Sequence, residues 1–301
     1  MLPRRLLFRS SIWEVARPRT PLTEGHLLVR LSDPSVAFAE DSAADWLLCH
    51  NIARGALSRV LGAERCGLMF AYEWHPLGDA IGEPAAESST PTFHLFGRWA
   101  GESLTPADQL LIPASHRVPT SENVLDELDG GLRSELQRQA AEIARTEVHE
   151  SERHSESERQ PETDQQPKME SASDVQPASD AEPASGVEHQ VESEPPAESE
   201  PLPVLARWKA TQEPGSGYRV FTPVRPLRKI GDASPQDLLS LATGIMALPV
   251  GGAASGFSCV VSEADESHER LQLHALGRSR AEKVNPLEIF LRSSEVSHTL
   301  L

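Results

Sequence analysis

Short apolar runs and turn-rich stretches follow one another along the chain in an order that occurs twice. Trp13 lies in an apolar run, a turn-rich stretch follows, and Gly25-His26-Leu27-Leu28-Val29 opens a strand, so the pair predicts a hairpin. Trp46, Leu47, Ile52, Ala53 and Leu57 come next with the spacing of a helix buried on one side. Ahead of them, Ser42-Ala43-Ala44-Asp45 offers a hydroxyl for the N-cap and a carboxylate three residues on. Two further strands are predicted, Gly67-Leu68-Met69-Phe70-Ala71-Tyr72 and Thr92-Phe93-His94-Leu95-Phe96-Gly97-Arg98.

The C-terminal third repeats the series. Trp208 precedes Pro214-Gly215-Ser216-Gly217, and Tyr218-Arg219-Val220-Phe221 starts the matching strand. Ser234-Pro235-Gln236-Asp237 caps a helix carrying Leu238, Leu239, Leu241, Ile245 and Leu248, with Pro235 at the first helical position. Gly256 to Val261 and Gln272 to Arg278 supply the last two strands. A proline, Pro106 or Pro286, falls eight residues after the closing arginine of each series. Each copy therefore reads strand–strand–helix–strand–strand: an α+β unit with an antiparallel sheet and one helix on a face.

Between the copies, Leu125, Leu128, Leu132, Leu136, Ala140 and Ile143 predict a helix over Ser121 to Glu147, interrupted by Gly130-Gly131. From Ser151 to Glu200 the chain then lacks Leu, Ile, Phe, Tyr, Trp and Cys altogether. Such a segment buries too little to offset the entropy of ordering it, about 1–2 kcal/mol per residue. The expected organisation is an N-terminal domain over residues 1–120, a helical extension over 121–150, a disordered acidic linker over 151–202 and a C-terminal domain over 203–301.

Charge narrows the function. Lys and Arg number 28 against 45 Asp and Glu, a formal −17, and the linker alone holds 14 acids against three bases. A surface of that sign repels phosphate backbones, which argues against binding to DNA or RNA. Cys49, Cys66 and Cys259 lie far apart, so neither a disulfide framework nor a cysteine zinc site is expected. No apolar run approaches the ~20 residues of a membrane span. The basic opening up to Glu14 has no long apolar core, so a cytoplasmic location is expected and a weak organelle-targeting reading stays open. Phosphate-loop, dinucleotide-fold, zincin and nucleophile-elbow motifs are all absent from the sequence.

With Gly25-His26-Leu27-Leu28-Val29 before its helix and His94-Leu95-Phe96-Gly97-Arg98-Trp99-Ala100-Gly101-Glu102 after it, the N-terminal copy resembles the histidine-triad superfamily. The resemblance covers Ser11 to His116 and, more faintly, Trp208 to His298. Members include nucleotidyl hydrolases, dinucleoside polyphosphate phosphorylases and tandem galactose-1-phosphate uridylyltransferases. Single-domain members pair through their sheets, so the resemblance implies two such repeats closed into an intrachain pseudo-dimer. It also implies a nucleotide or nucleotide-sugar ligand.

The family signature places three histidines on alternate positions of one strand, where they share a face. Its middle histidine attacks phosphorus. Aligned on Gly-Arg, this sequence has Thr90, Thr92 and His94 in the first copy and Arg270, Gln272 and His274 in the second. Neither middle position is an imidazole, and a threonine hydroxyl with no base beside it is a poor nucleophile. The other register makes His94 the nucleophile but crowds Gly97-Arg98 against the triad. After Gly25-His26, Leu31-Ser32-Asp33-Pro34 replaces the family's Pro-Lys-x-His.

Thr90, Thr92, His94, Arg98, Gln272, His274 and Arg278 are thus the candidate nucleotide- or phosphate-binding residues. His94 and His274 read equally as lone strand histidines satisfied by the backbone, and Arg98 and Arg278 as anion clamps or as strand-end salt bridges. His26 is expected to support the fold, and His75 to lie on the surface. Glu83, Glu87, Glu263, Asp265 and Glu266 crowd the loops before the two histidine strands and oppose a polyphosphate unless a cation such as Mg²⁺ intervenes; no cofactor and no metal ligands are expected. The leading expectation is a non-catalytic nucleotide- or partner-binding protein. The alternative is a nucleotidyl transferase or hydrolase acting on phosphoanhydrides with His94 as nucleophile, and a third is an interaction module alike only in fold.

Overall fold

In a computed structural model, residues 5–73, 90–113, 116–117, 120–157, 207–212, 217–249, 254–264 and 269–279 are described. One compact unit combines the chain up to residue 144 with that from 202 onward; a second covers 145–201, of which the described part is the end of a helix. The first unit is α+β and is built on one nine-stranded sheet, antiparallel at every pairing.

Its strands are β1 (Leu6–Arg9), β2 (Trp13–Ala16), β3 (His26–Leu31), β4 (Arg65–Tyr72), β5 (Thr92–Arg98), β6 (Trp208–Gln212), β7 (Tyr218–Pro223), β8 (Gly256–Ser262) and β9 (Gln272–Arg278). Their order across the sheet is β1-β2-β3-β5-β4-β8-β9-β7-β6. Outward from the central β4–β8 pairing, one flank reads β5, β3, β2, β1 and the other β9, β7, β6. The helices are α1 (Glu40–Leu61), α2 (Pro106–Leu110), α3 (Glu122–Ser157) and α4 (Pro235–Met246).

Period-2 alternation sorts the side chains between two layers. Val15, Leu27, Val29, Leu68, Leu95, Phe221, Phe257, Cys259, Val261, Leu273 and Ala275 join Trp46, Ile52, Leu57, Leu238 and Leu241 of α1 and α4 in the main core. On the opposite face a smaller cluster gathers Leu22, Met69, Phe96 and Val260 with Ala107 and Leu110 of α2. Two buried indoles tie hairpin to helix: Trp13 Nε1–H donates to the Ser42 carbonyl and Trp208 Nε1–H to the Asp237 carbonyl, both at 2.8 Å.

Helix starts differ from expectation in one case. Ser234 caps α4 as predicted, in a reciprocal box with Asp237 and with Pro235 in the first turn. Ser42, however, lies inside α1, which begins at Glu40 behind Ala39. Asp45 is engaged elsewhere: its Oδ2 accepts from Ser10 Oγ at 2.6 Å, from Ile12 N at 2.8 Å and from Trp13 N at 3.0 Å, closing the β1–β2 turn.

Helix α3 runs through Gly130 and Gly131 and continues past residue 150 to Ser157, so the expected linker start is helical. Leu132 and Leu136 anchor it in the main core. Asp129, on the same stretch, accepts from the buried Arg17 guanidinium at 2.5 Å. The predicted linker beyond 157 lies outside the described residues, as do His75, Glu83, Glu87, Asp265, Glu266 and Pro286.

Candidate functional site

On β5, Thr92, His94, Phe96 and Arg98 share the face away from α1, because Phe93 and Leu95 belong to the helix-side core. On β3 the same face carries His26, Leu28 and Arg30, which pair with Phe96, His94 and Thr92. On the far side of His94 the register continues through Met69, Val260 and His274 to Val220. Both candidate histidines therefore stand in one cross-sheet row, three strand spacings or roughly 14 Å apart.

His26 meets His94 on this face. The Leu22 N–H donates to His26 Nδ1 at 3.0 Å, and His26 Nε2 lies 3.0 Å from His94 Nδ1. A backbone N–H only donates, so the neutral His26 ring carries its proton on Nε2 and gives that hydrogen bond to His94. His94 then carries its own proton on Nε2, which faces no hydrogen-bond partner among the described residues. Burial holds both rings neutral: His26, fully enclosed, is driven well below the usual histidine range, with the nearby His94, Arg17 and Arg117 adding to the effect. His94 is half-buried and is lowered to about 4 by desolvation.

A glycine pair brings β3 and β5 together at this end. Gly97 N–H donates to the Gly25 carbonyl at 3.0 Å, and a Cβ on Gly25 would lie 2.7 Å from the Gly97 carbonyl oxygen. In the C-terminal half Gly277 N–H donates likewise to Gly217 at 2.8 Å. Tyr218 follows Gly217 as His26 follows Gly25; it pairs with Leu276, as His26 pairs with Phe96. Its hydroxyl lies 2.5 Å from His274 Nδ1, and the two rings are nearly coplanar, with centroids 5.9 Å apart and 20° between their planes. His274 is 1% exposed.

The candidate arginines are buried. Arg98 Nε donates to Glu102, four residues on, and both side chains are enclosed. Arg278 donates to Ser258 Oγ at 2.7 Å. Thr92 Oγ1 donates to the Thr90 carbonyl at 3.0 Å, and Gln272 opens β9 opposite Ser262. Among the described residues no three His, Cys, Asp or Glu side chains converge as a metal-binding group. Glu263, the described member of the predicted acidic loops, accepts from Arg54 Nη2 at 2.8 Å, and burial raises its carboxyl.

Arg30 was not a sequence candidate. The strand read from Gly25 to Val29 stops one residue short of it, whereas β3 continues to Leu31 and sets Arg30 opposite Thr92. Its Nε donates to Glu14 Oε1 at 2.6 Å, and its side chain remains 25% exposed.

No family model matches the sequence, and no curated protein matches it. Solved structures do. A histidine-triad-like protein involved in cell-cycle regulation from Bartonella henselae is 16% identical, with 44% of this chain and 88% of that one covered and a TM-score of 0.31. A hypothetical histidine triad nucleotide-binding protein from Sulfolobus tokodaii is 14% identical, over 44% of this chain and 84% of the other, with a TM-score of 0.32. A uridylyltransferase is 16% identical over 46% of this chain, with a TM-score of 0.34, and only 42% of its length is spanned. Over somewhat less than half its length, this chain is similar to solved histidine-triad-like proteins and to a solved uridylyltransferase.

Proposed function

We propose that this chain is a tandem histidine-triad-like protein, closed as an intrachain pseudo-dimer, that binds a nucleotide or a nucleotide-bearing partner without turning it over. Support for two copies lies in the strand order, which repeats outward from β4–β8, and in the paired Trp13/Trp208 and Gly25/Gly217 contacts. The non-catalytic reading rests on one observation, the His26–His94 hydrogen bond. A neutral imidazole has a lone pair on one nitrogen only. His94 directs that lone pair at His26, so its outward Nε2–H is a donor and has nothing with which to attack phosphorus. A donor of this kind suits a phosphate or carbonyl oxygen. Thr92, His94 and Arg30 supply the polar surface in the N-terminal half; Gln272 and His274 hold the matching positions in the other.

The test pairs turnover with binding. The full chain is incubated with diadenosine triphosphate and with UDP-glucose, then analysed for released nucleotide and, by intact mass, for a nucleotidyl adduct. Binding without either product is the expected result. Turnover or an adduct that disappears in His94→Ala would establish the alternative, with His94 as nucleophile.

A further inference from the structure

We infer that the outer edge of β6 is a docking site for an extended, acidic segment of a partner protein, which joins the sheet as a further strand. The two ends of the sheet differ. At one end β1 covers β2, and the Trp13 carbonyl accepts from Ser10 N–H at 2.9 Å. β1 is itself irregular between Leu6 and Phe8, and its Leu6 carbonyl accepts from Arg133 of α3; both features blunt a sheet edge. At the other end β6 carries Trp208 in the place of Trp13, and among the described residues no strand lies beyond it. Val224 N–H donates to the Arg207 carbonyl, so the alternation turns Lys209 and Thr211 inward to β7 and the backbone groups of Trp208 and Ala210 outward. Among the described residues nothing bonds to those outward groups. An open edge of regular register is a template for one more strand.

Charge selects the occupant. The chain is acidic overall, at −17, yet this edge is basic. Arg207 and Arg225, with side chains 48% and 53% exposed, share the one Asp237 carboxylate at the start of α4, at 3.0 and 2.6 Å, so the three leave a net positive charge on the helix side. Trp208 and Ala210 face the main core, which sets the exposed Lys209 on the other face of the strand. Cations thus flank the edge on both faces. A second copy of β6 would bring its own Arg207 and Lys209 to this edge and be repelled, whereas an acidic strand is attracted. Hydrogen bonds to the backbone of Trp208 and Ala210 supply the pairing. Carboxylates beside Lys209 and small apolar residues beside Ala210 supply the selection.

The experiment titrates the ¹⁵N-labelled full chain with a blocked peptide of alternating Glu and Val. A peptide of alternating Lys and Val controls for charge, and an N-methylated form of the acidic peptide controls for backbone pairing. The acidic peptide is expected to shift the Trp208 and Ala210 amide signals and to slow their hydrogen exchange at least tenfold, and either control to bind at least tenfold more weakly. Ala210→Pro removes an outward N–H that holds no bond in the fold, so it should cut affinity at least tenfold with the rest of the amide spectrum retained. Lys209→Glu should weaken binding at least threefold. Equal binding of the N-methylated peptide overturns strand addition, and equal binding of the lysine peptide overturns the acidic selection. Exchange already slow at Trp208 and Ala210 in the chain alone overturns the partner: with doubled mass in sedimentation the edge belongs to a second copy, and with monomer mass to another segment of this chain. Absence of binding by the acidic peptide overturns the site itself.

Discussion

Gly25 shows how one missing side chain sets the geometry of the site. Its carbonyl accepts from Gly97 N–H, and the next residue, His26, reaches His94. A methyl at Gly25 would sit 2.7 Å from a backbone oxygen and 3.0 Å from the Trp99 ring. Backbone cannot give way as a flexible side chain does, so β3 must move away from β5. Gly25→Ala is therefore expected to cost about 1–3 kcal/mol of stability in urea unfolding, the usual scale of overpacking. It also lengthens the His26–His94 hydrogen bond, which the ring ¹⁵N shifts of His94 report. An unchanged unfolding midpoint together with unchanged shifts would show that this approach is not tight.

At the scale of elements, α3 allows a matched comparison. Gly130 is exposed, and an added Cβ meets nothing within 4 Å; at Gly131 the same atom lies 3.3 Å from Val60 Cγ1. Glycine inside a helix costs roughly 0.5–1 kcal/mol relative to alanine. Gly130→Ala should raise stability by about that amount, and Gly131→Ala by less, because Val60 must shift. Equal gains from the two substitutions would place α3 further from α1 than the structure has it.

The same helix shows what the sequence could convey. Leu132 and Leu136 were legible because they recur with helical period, and the glycine pair reads as a break only while packing is left out. The strands on either side were legible from alternation, glycines and indoles. Strand β1 was not, being four residues with two exposed or half-exposed positions. Nor was the start of α1, since Ser42 and Asp45 spell a cap while Asp45 serves the β1–β2 turn. For the candidate site, His94 stands out in the sequence by its place before Gly97-Arg98. Its contact with His26 does not, because it joins residues 68 apart through a register that only the folded sheet defines. Arg98 pairs with Glu102 four residues on, the strand-end salt bridge offered beside the anion clamp, whereas the Arg278–Ser258 hydrogen bond joins residues 20 apart and left no local trace in the sequence.

Across the whole molecule the two flanks depend on each other, and acid tests that dependence. Pairing from Leu68 with Val261 to Tyr72 with Phe257 makes the sheet continuous. Between the helix-side elements, Asn51 Nδ2 donates to the Gly231 carbonyl at 3.2 Å and Arg54 pairs with Glu263. His50, beside Asn51 on α1, is 1% exposed and stacked on Trp46 at 5.1 Å. Desolvation lowers its pKa from the ordinary 6.5 to about 4, as it does for His94. His26 is lowered in the same direction by burial. Between pH 6.5 and about 4 the unfolded chain thus binds protons that the folded chain excludes. Stability rises with pH across that window and is lost as pH falls through it, by up to about 1.4 kcal/mol per pH unit for each imidazole. Glu263 and Glu102, raised by burial, oppose that slope, whereas Glu135, lowered by its hydrogen bonds from Arg138 and Gln139, and Asp33, lowered by Ser35, add to it at the acid end of the window. Urea midpoints should hold steady above about pH 7 and fall together for both flanks below it, because one sheet carries both. His50→Gln removes one titrating ring and should flatten the slope by about one proton's worth. A flat profile between pH 7 and 4 would mean that the three imidazoles are hydrated in the folded chain, and the donor-only state of His94 would fall with it.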